Sequence, residues 1–551
     1  MLRRPGHRTT AGLIALLFLL PLAVGTVPQS SRAAGTTTLT FLGPDFDEWI
    51  AFVKVANEIG KGMGIQVKPE YLPWDDVFQK ALIDSKSGVR TWDYVYIYNT
   101  WVPGLSAAKA ITPISDFLAN PENKAAVRPD DFIKETTAGL ELNGKLWAMP
   151  MLAAPYMLGY RTDLFNDAGE KQAFQAKYGY PLAVPQTYKQ LLDTAQFFTR
   201  KKGEMLAGRP LDQDFYGMIM ANKRGGFLFH RFEHILVAYG ADMIYNAKTM
   251  QPTANSPESI AAVKYYLELH KYMQPGTETV TGGGAERVMA AGRGAMAMDA
   301  LDNMLSVLPV SKLSQVVGRV TYALLPTQVP SRPHANVGDA NGLAIYALTQ
   351  HKDEAFKLAT ATLNTQGTKA VMKEYPALVP MRTSVVEDLE VRRNYTDVFS
   401  AMNLMLKGKP YTVFIPPLKE WIQAQDIYEQ ALSAAMAGQQ SPEDALNGAQ
   451  AKEVELFKRD LAPAGLTLNL NDGIQRGQWH AEIGRMGGDA RVAPAKYGVQ
   501  PVFAATGVTA RAGAPFVAGT RRVVEIRAAR TLHQVAANGR GIAQLSRRAG
   551  Q

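Results

Sequence analysis

An α/β fold in two domains is what this sequence predicts, and three observations predict it. Apolar strands alternate with amphipathic helices from residue 39 onwards. One of those strands, Tyr94 to Tyr98 (YVYIY), is apolar at every position, as in a sheet covered by helices on both faces. The stretch between an N-terminal leader and a basic tail exceeds 400 residues, more than one hydrophobic core usually organises.

The ends are set apart by composition. Arg3, Arg4 and Arg8 supply positive charge, Leu13 to Val24 an apolar run, and Ser31-Arg32-Ala33 small residues at the −3 and −1 positions, the three parts of an export signal over residues 1–33. Pro21 interrupts the run, which falls short of the roughly 20 residues a membrane-spanning helix needs. The chain has no cysteine, so it holds neither a lipid-modified Cys nor a disulfide, and a periplasmic protein that is not a lipoprotein is expected. Residues 461–551 are rich in Ala, Gly and Arg and poor in large apolar residues, a composition expected to stay disordered. The total charge of +9 comes from these ends. Taking away the leader's +4 and the tail's +8 leaves −3 for residues 34–460, so nucleic-acid binding has little electrostatic support.

Within the body, Leu39-Thr40-Phe41-Leu42 reads as a strand followed by a Gly-Pro turn and an acidic loop, Asp45 to Glu48. Trp49, Phe52, Val53 and Ala56 recur at helical spacing. Ile65-Gln66-Val67 is a second strand, Asp75 to Ile83 a helix with Val77, Ala81 and Leu82 on one face, and Tyr94 to Tyr98 a third strand. Ligands of such sheets sit beyond the strand C-termini, which brings the Asp45 loop and Asn99-Thr100-Trp101 to one edge. Further on, Thr187 with Gln190 forms a capping box ahead of a stripe of Tyr188, Leu191, Leu192, Ala195 and Phe198. Ser256-Pro257 repeats the N-cap logic before Ile260, Val263 and Leu267, and Ser441-Pro442 does so near the end. Ala340 to Ala347 returns to strand character, with a helix from Asp353 to Leu363.

Several pieces occur in a telling order: NGKLWAMPM, LGYRTDLFNDAG, GRGAMAMDALDNM, GLAIYALTQHKDEAFKLATATL, YPALVPMR and LSAAMAGQQSPEDALNGA. Over residues 36–460 the chain resembles the family 1 extracellular solute-binding proteins of ABC importers (maltose-binding-protein-like). The resemblance implies the type II periplasmic binding protein fold, two lobes that are each a mostly parallel sheet flanked by helices, joined by a multi-strand hinge. It implies lobe 1 over 34–150 and 321–364, and lobe 2 over 151–320 and 365–460, with crossings near Met149–Leu152, near Thr321–Leu325 and after Leu363. Several crossings make a hinge, because a few backbone torsions absorb rigid-body closure. Two departures from the family stand out: an enlarged turn between Phe165 and Val184, and Tyr188 where the family has Trp.

A sugar presents apolar C–H faces to aromatic rings and a rim of hydroxyls to planar polar side chains. Trp101, Trp74 and Trp421 are the stacking candidates. Trp101 follows the third strand, Trp74 opens a helix at the same edge, and Trp421 lies where the resemblance implies an aromatic platform; core packing is the other reading of each, and the favoured one for Trp74. Asp45 and Asp47 follow strand one, where binding loops belong, although acids at a helix N-terminus also favour its dipole. By the resemblance, Asp299 and Asn303 fall in a ligand-facing turn, but the aromatic that ends it in the family is missing here. Asn341 stands at the hinge side of the cleft beside Gly342, Tyr156 follows the first crossing, and Arg382 points into the cleft or forms a surface ion pair. Phe229, Arg231 and Glu233 fall where the family contributes second-lobe contacts.

Other signals are declined. Gly282-Gly283-Gly284 lacks the Lys-Ser/Thr of a phosphate loop and reads as a surface loop. Tyr94, Tyr96 and Tyr98 fill a sheet face. Eight His and no Cys leave a zinc site unsupported, and no Gly-x-Ser-x-Gly elbow exists. No cofactor and no catalysis are expected. The function implied is capture of a carbohydrate by lobe closure and delivery to ABC transporter permease subunits, as a monomer. A non-sugar solute on the same fold (polyamine, organic anion, ferric ion) and a secreted glycosidase with two facing carboxylates remain the alternatives.

Overall fold

The computed structural model describes residues 36–461, except 247, 248, 250, 416 and 417. The expected leader over 1–33 and the expected tail beyond residue 461 lie outside these residues.

The first lobe is built as its apolar spacing requires. Strand β1 (Thr37–Pro44) buries Leu39, Phe41 and Leu42. Helix α1 (Asp47–Lys61) buries the stripe of Trp49, Phe52, Val53 and Ala56, and Phe41 stacks on Trp49 with ring centroids 5.4 Å apart. Strand β2 (Ile65–Leu72), helix α2 (Trp74–Lys86), strand β3 (Tyr94–Tyr98), strand β4 (Ile111–Thr112) and strand β5 (Met149–Ala153) follow. Ala154-Pro155 then carries the chain into the second lobe.

That lobe comprises β6 (Tyr156–Arg161), α3 (Ala168–Tyr178), α4 (Tyr188–Phe198), β7 (Tyr216–Ile219), α5 (Phe227–Ala238), α6 (Pro257–His270), β8 (Gly294–Ala300), α7 (Leu301–Val307) and β9 (Val320–Ala323). The capping box at α4 is formed: Gln190 N–H donates to Thr187 Oγ1 and Thr187 N–H to Gln190 Oε1, both at 3.2 Å, a motif contributing about 1 kcal/mol. The enlarged turn between Phe165 and Val184 is largely helix α3, which sets Phe174 against Phe197 at 5.1 Å. Its single large apolar buried residue in eleven makes that helix hard to see by periodicity.

The chain then returns on β10 (Ala340–Tyr346), α8 (Lys352–Leu363) and α9 (Thr365–Glu374), and ends with α10 (Thr396–Gly408), α11 (Trp421–Met436) and α12 (Pro442–Leu461). Helix α9 packs on α1, and Ala153 N–H donates to the Val379 carbonyl, so residues 365–382 build onto the first lobe. Helix α10 packs on β9 of the second. The boundary expected after Leu363 is therefore too early; the third crossing falls between residues 382 and 396. Likewise β9 pairs with β6 inside the second lobe, so residues 321–323, expected in lobe 1, belong to lobe 2.

Both sheets are mixed rather than mostly parallel. The first runs β2-β1-β3-β10, with β4 and β5 sharing the far edge of β10; β1 is parallel to β2 and β3, and β10 is antiparallel to β3, β4 and β5. The second runs β7-β8-β6-β9, and of its pairings β7–β8 is parallel. The physical reason lies in the crossings. A strand entering a lobe directly from its neighbour starts at the cleft, whereas β1 and β3 end there, so it must run opposite to them.

Candidate ligand-binding cleft

The ends of β1 and β3, the start of α2 and the crossing strands all meet at the seam between the lobes. A cavity of about 370 Å³ opens there, at the strand C-termini where open α/β sheets take their ligands. The first lobe lines it with Asp45, Asp47, Glu48, Trp74, Tyr96 and Tyr98. The second contributes Tyr156, Phe227, His230, Arg231, Asp302 and Asn303, and the Gly282-Gly283-Gly284 loop; Asp339 and Asn341 enter from the hinge. A larger groove of about 630 Å³, lined by Lys124, Arg128 and Ser384, lies on the first lobe alone, where lobe closure cannot grip a solute.

One wall is a hydrogen-bonded relay between the first lobe and the hinge. Trp74 Nε1–H donates to Tyr96 Oη at 3.1 Å, and Tyr96 donates to Asn341 Oδ1. Asn341 Nδ2–H donates to Asp339 Oδ1 at 3.2 Å, and Tyr98 donates to Asp339 Oδ2 at 3.0 Å. Tyr96 and Tyr98 thus do more than fill a sheet face. Their alternation on β3 turns both hydroxyls to one side of the sheet.

The facing wall is helix α5. Its N-terminal amides are capped from another helix: Glu429 of α11 accepts from Gly226 N and Gly225 N at 3.0 Å and from Phe229 N at 2.9 Å. Arg231 Nη2–H donates to Asp299 Oδ1 at 2.7 Å and Oδ2 at 2.9 Å, and Asn303 Nδ2–H reaches the same Oδ1 at 3.0 Å. Gly282 fits tightly behind them; a β-carbon there would lie 2.5 Å from Asn303 Nδ2 and 2.7 Å from Arg231 Nη2. The two walls touch through aromatic rings, Trp74 with Phe227 at 5.5 Å and Tyr98 with His230 at 4.9 Å.

Burial governs the electrostatics. Desolvation, with the Asp302 charge added, pushes the Glu48 carboxyl up to about 8; desolvation, with Asp299, pushes Asp302 up to about 7. Asp339 is raised well above the usual range by burial and by Asp302. Burial holds His230 down at about 3, neutral, with Arg231 adding to the effect.

Of the sequence-predicted site residues, the structure brings Asp45, Asp47, Trp74, Tyr156, Asn303 and Asn341 to the cavity wall. Asp299 lies one layer behind it, fully buried, holding Arg231 and Asn303 in place. The others stand elsewhere. Trp101 packs behind Trp74 at 5.1 Å and edge-on to Tyr96, filling the space under the wall instead of forming it. Phe229 and Trp421 pack against each other at 6.1 Å in the α5–α11 interface, because both helices bury that face. Glu233 is buried one turn beyond His230, its Oε1 3.2 Å from His230 Nδ1. Arg382 belongs to the first-lobe interior, where its guanidinium lies 4.3 Å from the Phe132 ring and pairs with Asp131 at 3.3 Å; it forms an ion pair, but a buried one and not one at the surface.

Sequence reasoning missed Glu48, His230, Asp302 and Asp339 as cleft residues and placed the triple glycine on an open surface. Glu48 and Asp302 each sit one or three residues beyond a residue that was singled out, a shift that local reading cannot resolve at a helix start.

Two lobes, a jointed crossing and a polar–aromatic cavity at the seam define a bilobal solute-binding protein. Residues 47–369 match the family of bacterial extracellular solute-binding proteins, and the chain belongs to that family. A relative from Brucella abortus (strain 2308) is 23% identical over 463 residues, 82% of this chain and 98% of its own length. The mannitol-binding protein of Pseudomonas aeruginosa is 27% identical over 347 residues, 60% of this chain and 73% of its own. Among solved structures, an ABC transporter solute-binding protein of Agrobacterium radiobacter K84 in complex with ribitol superimposes with a TM-score of 0.66 at 22% identity, over 77% of this chain and 99% of that one. That likeness is one of fold. No helix among the described residues is long and apolar enough to cross a membrane.

Proposed function

We propose that this protein captures a small carbohydrate, a sugar alcohol or monosaccharide, by lobe closure and hands it unaltered to the permease of an ABC importer. One observation carries the reading: the inter-lobe cavity combines hydrogen-bonding groups from both lobes with aromatic surface, the two things a polyhydroxylated solute offers partners for. Its 370 Å³ stands near the small end of ligand pockets, which run from about 300 to about 1,000 Å³, and favours a compact solute over a long oligosaccharide. The mannitol-binding relative and the ribitol-bound neighbour support the same solute class. Binding bridges both walls and shifts an open–closed equilibrium toward the closed form. The protein acts as a monomer in the periplasm after removal of its leader, without a lipid anchor. It hands the solute on without catalysis, in keeping with the solute-binding family to which the chain belongs.

Isothermal titration of the purified protein with D-mannitol, ribitol, D-glucose and maltose tests the proposal. A micromolar Kd, about −8 kcal/mol, for a sugar alcohol or monosaccharide is expected. Silence toward all four, or conversion of any of them to product, overturns it.

A further inference from the structure

The charges around the cleft are unequally matched. Arg231 is committed to Asp299, and Arg287 is exposed at the mouth. Against these the walls carry Glu48 from the start of α1, Asp302 from the start of α7 and Asp339 from the hinge just ahead of β10. None of the three carboxyls takes part in an ion pair among the described residues, and Glu48 and Asp302 are only 8% and 7% exposed. Asp302 Oδ1 is buried with no hydrogen-bond partner. Asp45 and Asp47 add two acids at the exposed lip.

We propose that Glu48, Asp302 and Asp339 form a charge filter that admits neutral polyhydroxy solutes and rejects their anionic counterparts, the sugar acids and sugar phosphates. The proposal rests on the reading of the cleft as a carbohydrate site. A hydroxyl can donate to the unpartnered Asp302 oxygen, which satisfies a buried acceptor that is otherwise costly. A carboxylate or phosphate brings no donor and adds negative charge to a buried site already holding three acids. The charge of Arg231 does not offset this, because Asp299 neutralises it at contact distance. The upward displacement of the Glu48 and Asp302 carboxyls by burial has the direction expected of acids that lack a cation. The ionisable groups facing the three are Asp47, Asp299, Glu233, Arg231 and the Tyr96, Tyr98 and Tyr375 hydroxyls, so three further acids stand against one cation.

The experiment is calorimetric titration of the full chain with matched pairs: D-mannitol against D-mannonate, ribitol against ribonate, D-glucose against D-glucuronate. At pH 8, where Asp302 is largely ionised and Glu48 partly so, the wild type should bind the neutral member of at least one pair at least about 100-fold more tightly, the scale reached when buried polar groups are left unmatched. Glu48→Gln and Asp302→Asn, which keep shape and remove charge, should each narrow the gap about tenfold, chiefly through tighter anion binding. Lowering the pH from 8 to 5.5 should narrow it in the wild type, because the filter takes up protons while a sugar-acid carboxylate, near 3.5, stays charged. Neutral and anionic members binding alike, or a gap that neither amide variants nor acid pH reduce, overturns the filter and leaves the carbohydrate reading standing. Anions binding alone, or no member of any pair binding, overturns both.

Discussion

Trp74 of the first lobe and Gly226 of the second meet across the seam so closely that a β-carbon on Gly226 would stand 2.6 Å from the Trp74 ring. The backbone there has φ +107°, a conformation suited to glycine alone. Just beyond it, Phe227 and His230 reach the same indole at 5.5 and 5.8 Å. The lobes are thus in contact at this point through a backbone segment and one large ring.

Gly226→Ala should therefore hold the lobes apart. The methyl group meets a rigid ring, and the strained backbone adds about 1 kcal/mol or more of its own. Ligand affinity is expected to fall at least about tenfold, equivalent to about 1.4 kcal/mol. Small-angle scattering with saturating ligand should show a larger radius of gyration than the wild type. Equal affinity and an unchanged radius would show that this contact does not limit closure.

How much of this could be read beforehand depends on sequence distance. The α1 stripe, the all-apolar β3 and the caps at Thr187 and Ser256 are local patterns, and the structure forms all of them. The direction of β10 is not local; it follows from where the chain re-enters a lobe, which no periodicity records. The same holds for the cleft. Arg231 and Asp299 are 68 positions apart, and Tyr98 and Asp339 are 241 apart. Helix α5 is buried nearly all round because it lies against α6 and α11 and also touches the first lobe. Its basic and aromatic residues therefore give no polar face to read. Arg382, exposed-looking in YPALVPMR, is buried because Leu363 and Val127 offer their carbonyls to its guanidinium.

Asp299→Ala would leave the Arg231 guanidinium buried without its carboxylate. Breaking a buried pair from one side costs about 3–5 kcal/mol, since the remaining charge loses its partner in a desolvated site. Urea unfolding should register that loss. Adding Arg231→Met to the same variant should recover part of it, because no charge is then stranded. A double variant less stable than Asp299→Ala would contradict the pairing as the source of the effect.

Arg382→Met separates architecture from binding. The change removes the partner of Asp131 and the donors to the Leu363 and Val127 carbonyls, all inside the first lobe. A loss of about 3 kcal/mol is expected in urea unfolding. Ligand affinity in the folded variant should stay within about threefold of the wild type, about 0.7 kcal/mol. A large affinity loss at unchanged stability would return Arg382 to the cleft.

Stability should also depend on pH in a direction the cleft dictates. In the unfolded chain Glu48 and Asp302 release their protons near the ordinary values of 4.5 and 3.8, but in the folded protein they keep them to about 8 and about 7. Between those limits the folded state binds more protons, so its stability falls as pH rises. Asp339, Glu233 and Glu286, all raised by burial, act in the same sense. His230 works the other way: its folded value near 3 lies below the ordinary 6.5, so stability falls as pH drops through that interval, and His234 adds to it. At pH 6.5 the unfolded histidines are half protonated, and above it they lose their remaining protons, so their opposing effect fades toward pH 8 and the carboxyl trend prevails. The melting temperature should decline across that window, and Glu48→Gln should flatten the decline, each unit of pH being worth at most about 1.4 kcal/mol per group. A melting temperature that is level or rising from pH 6.5 to 8 would mean that the folded cleft does not retain these protons.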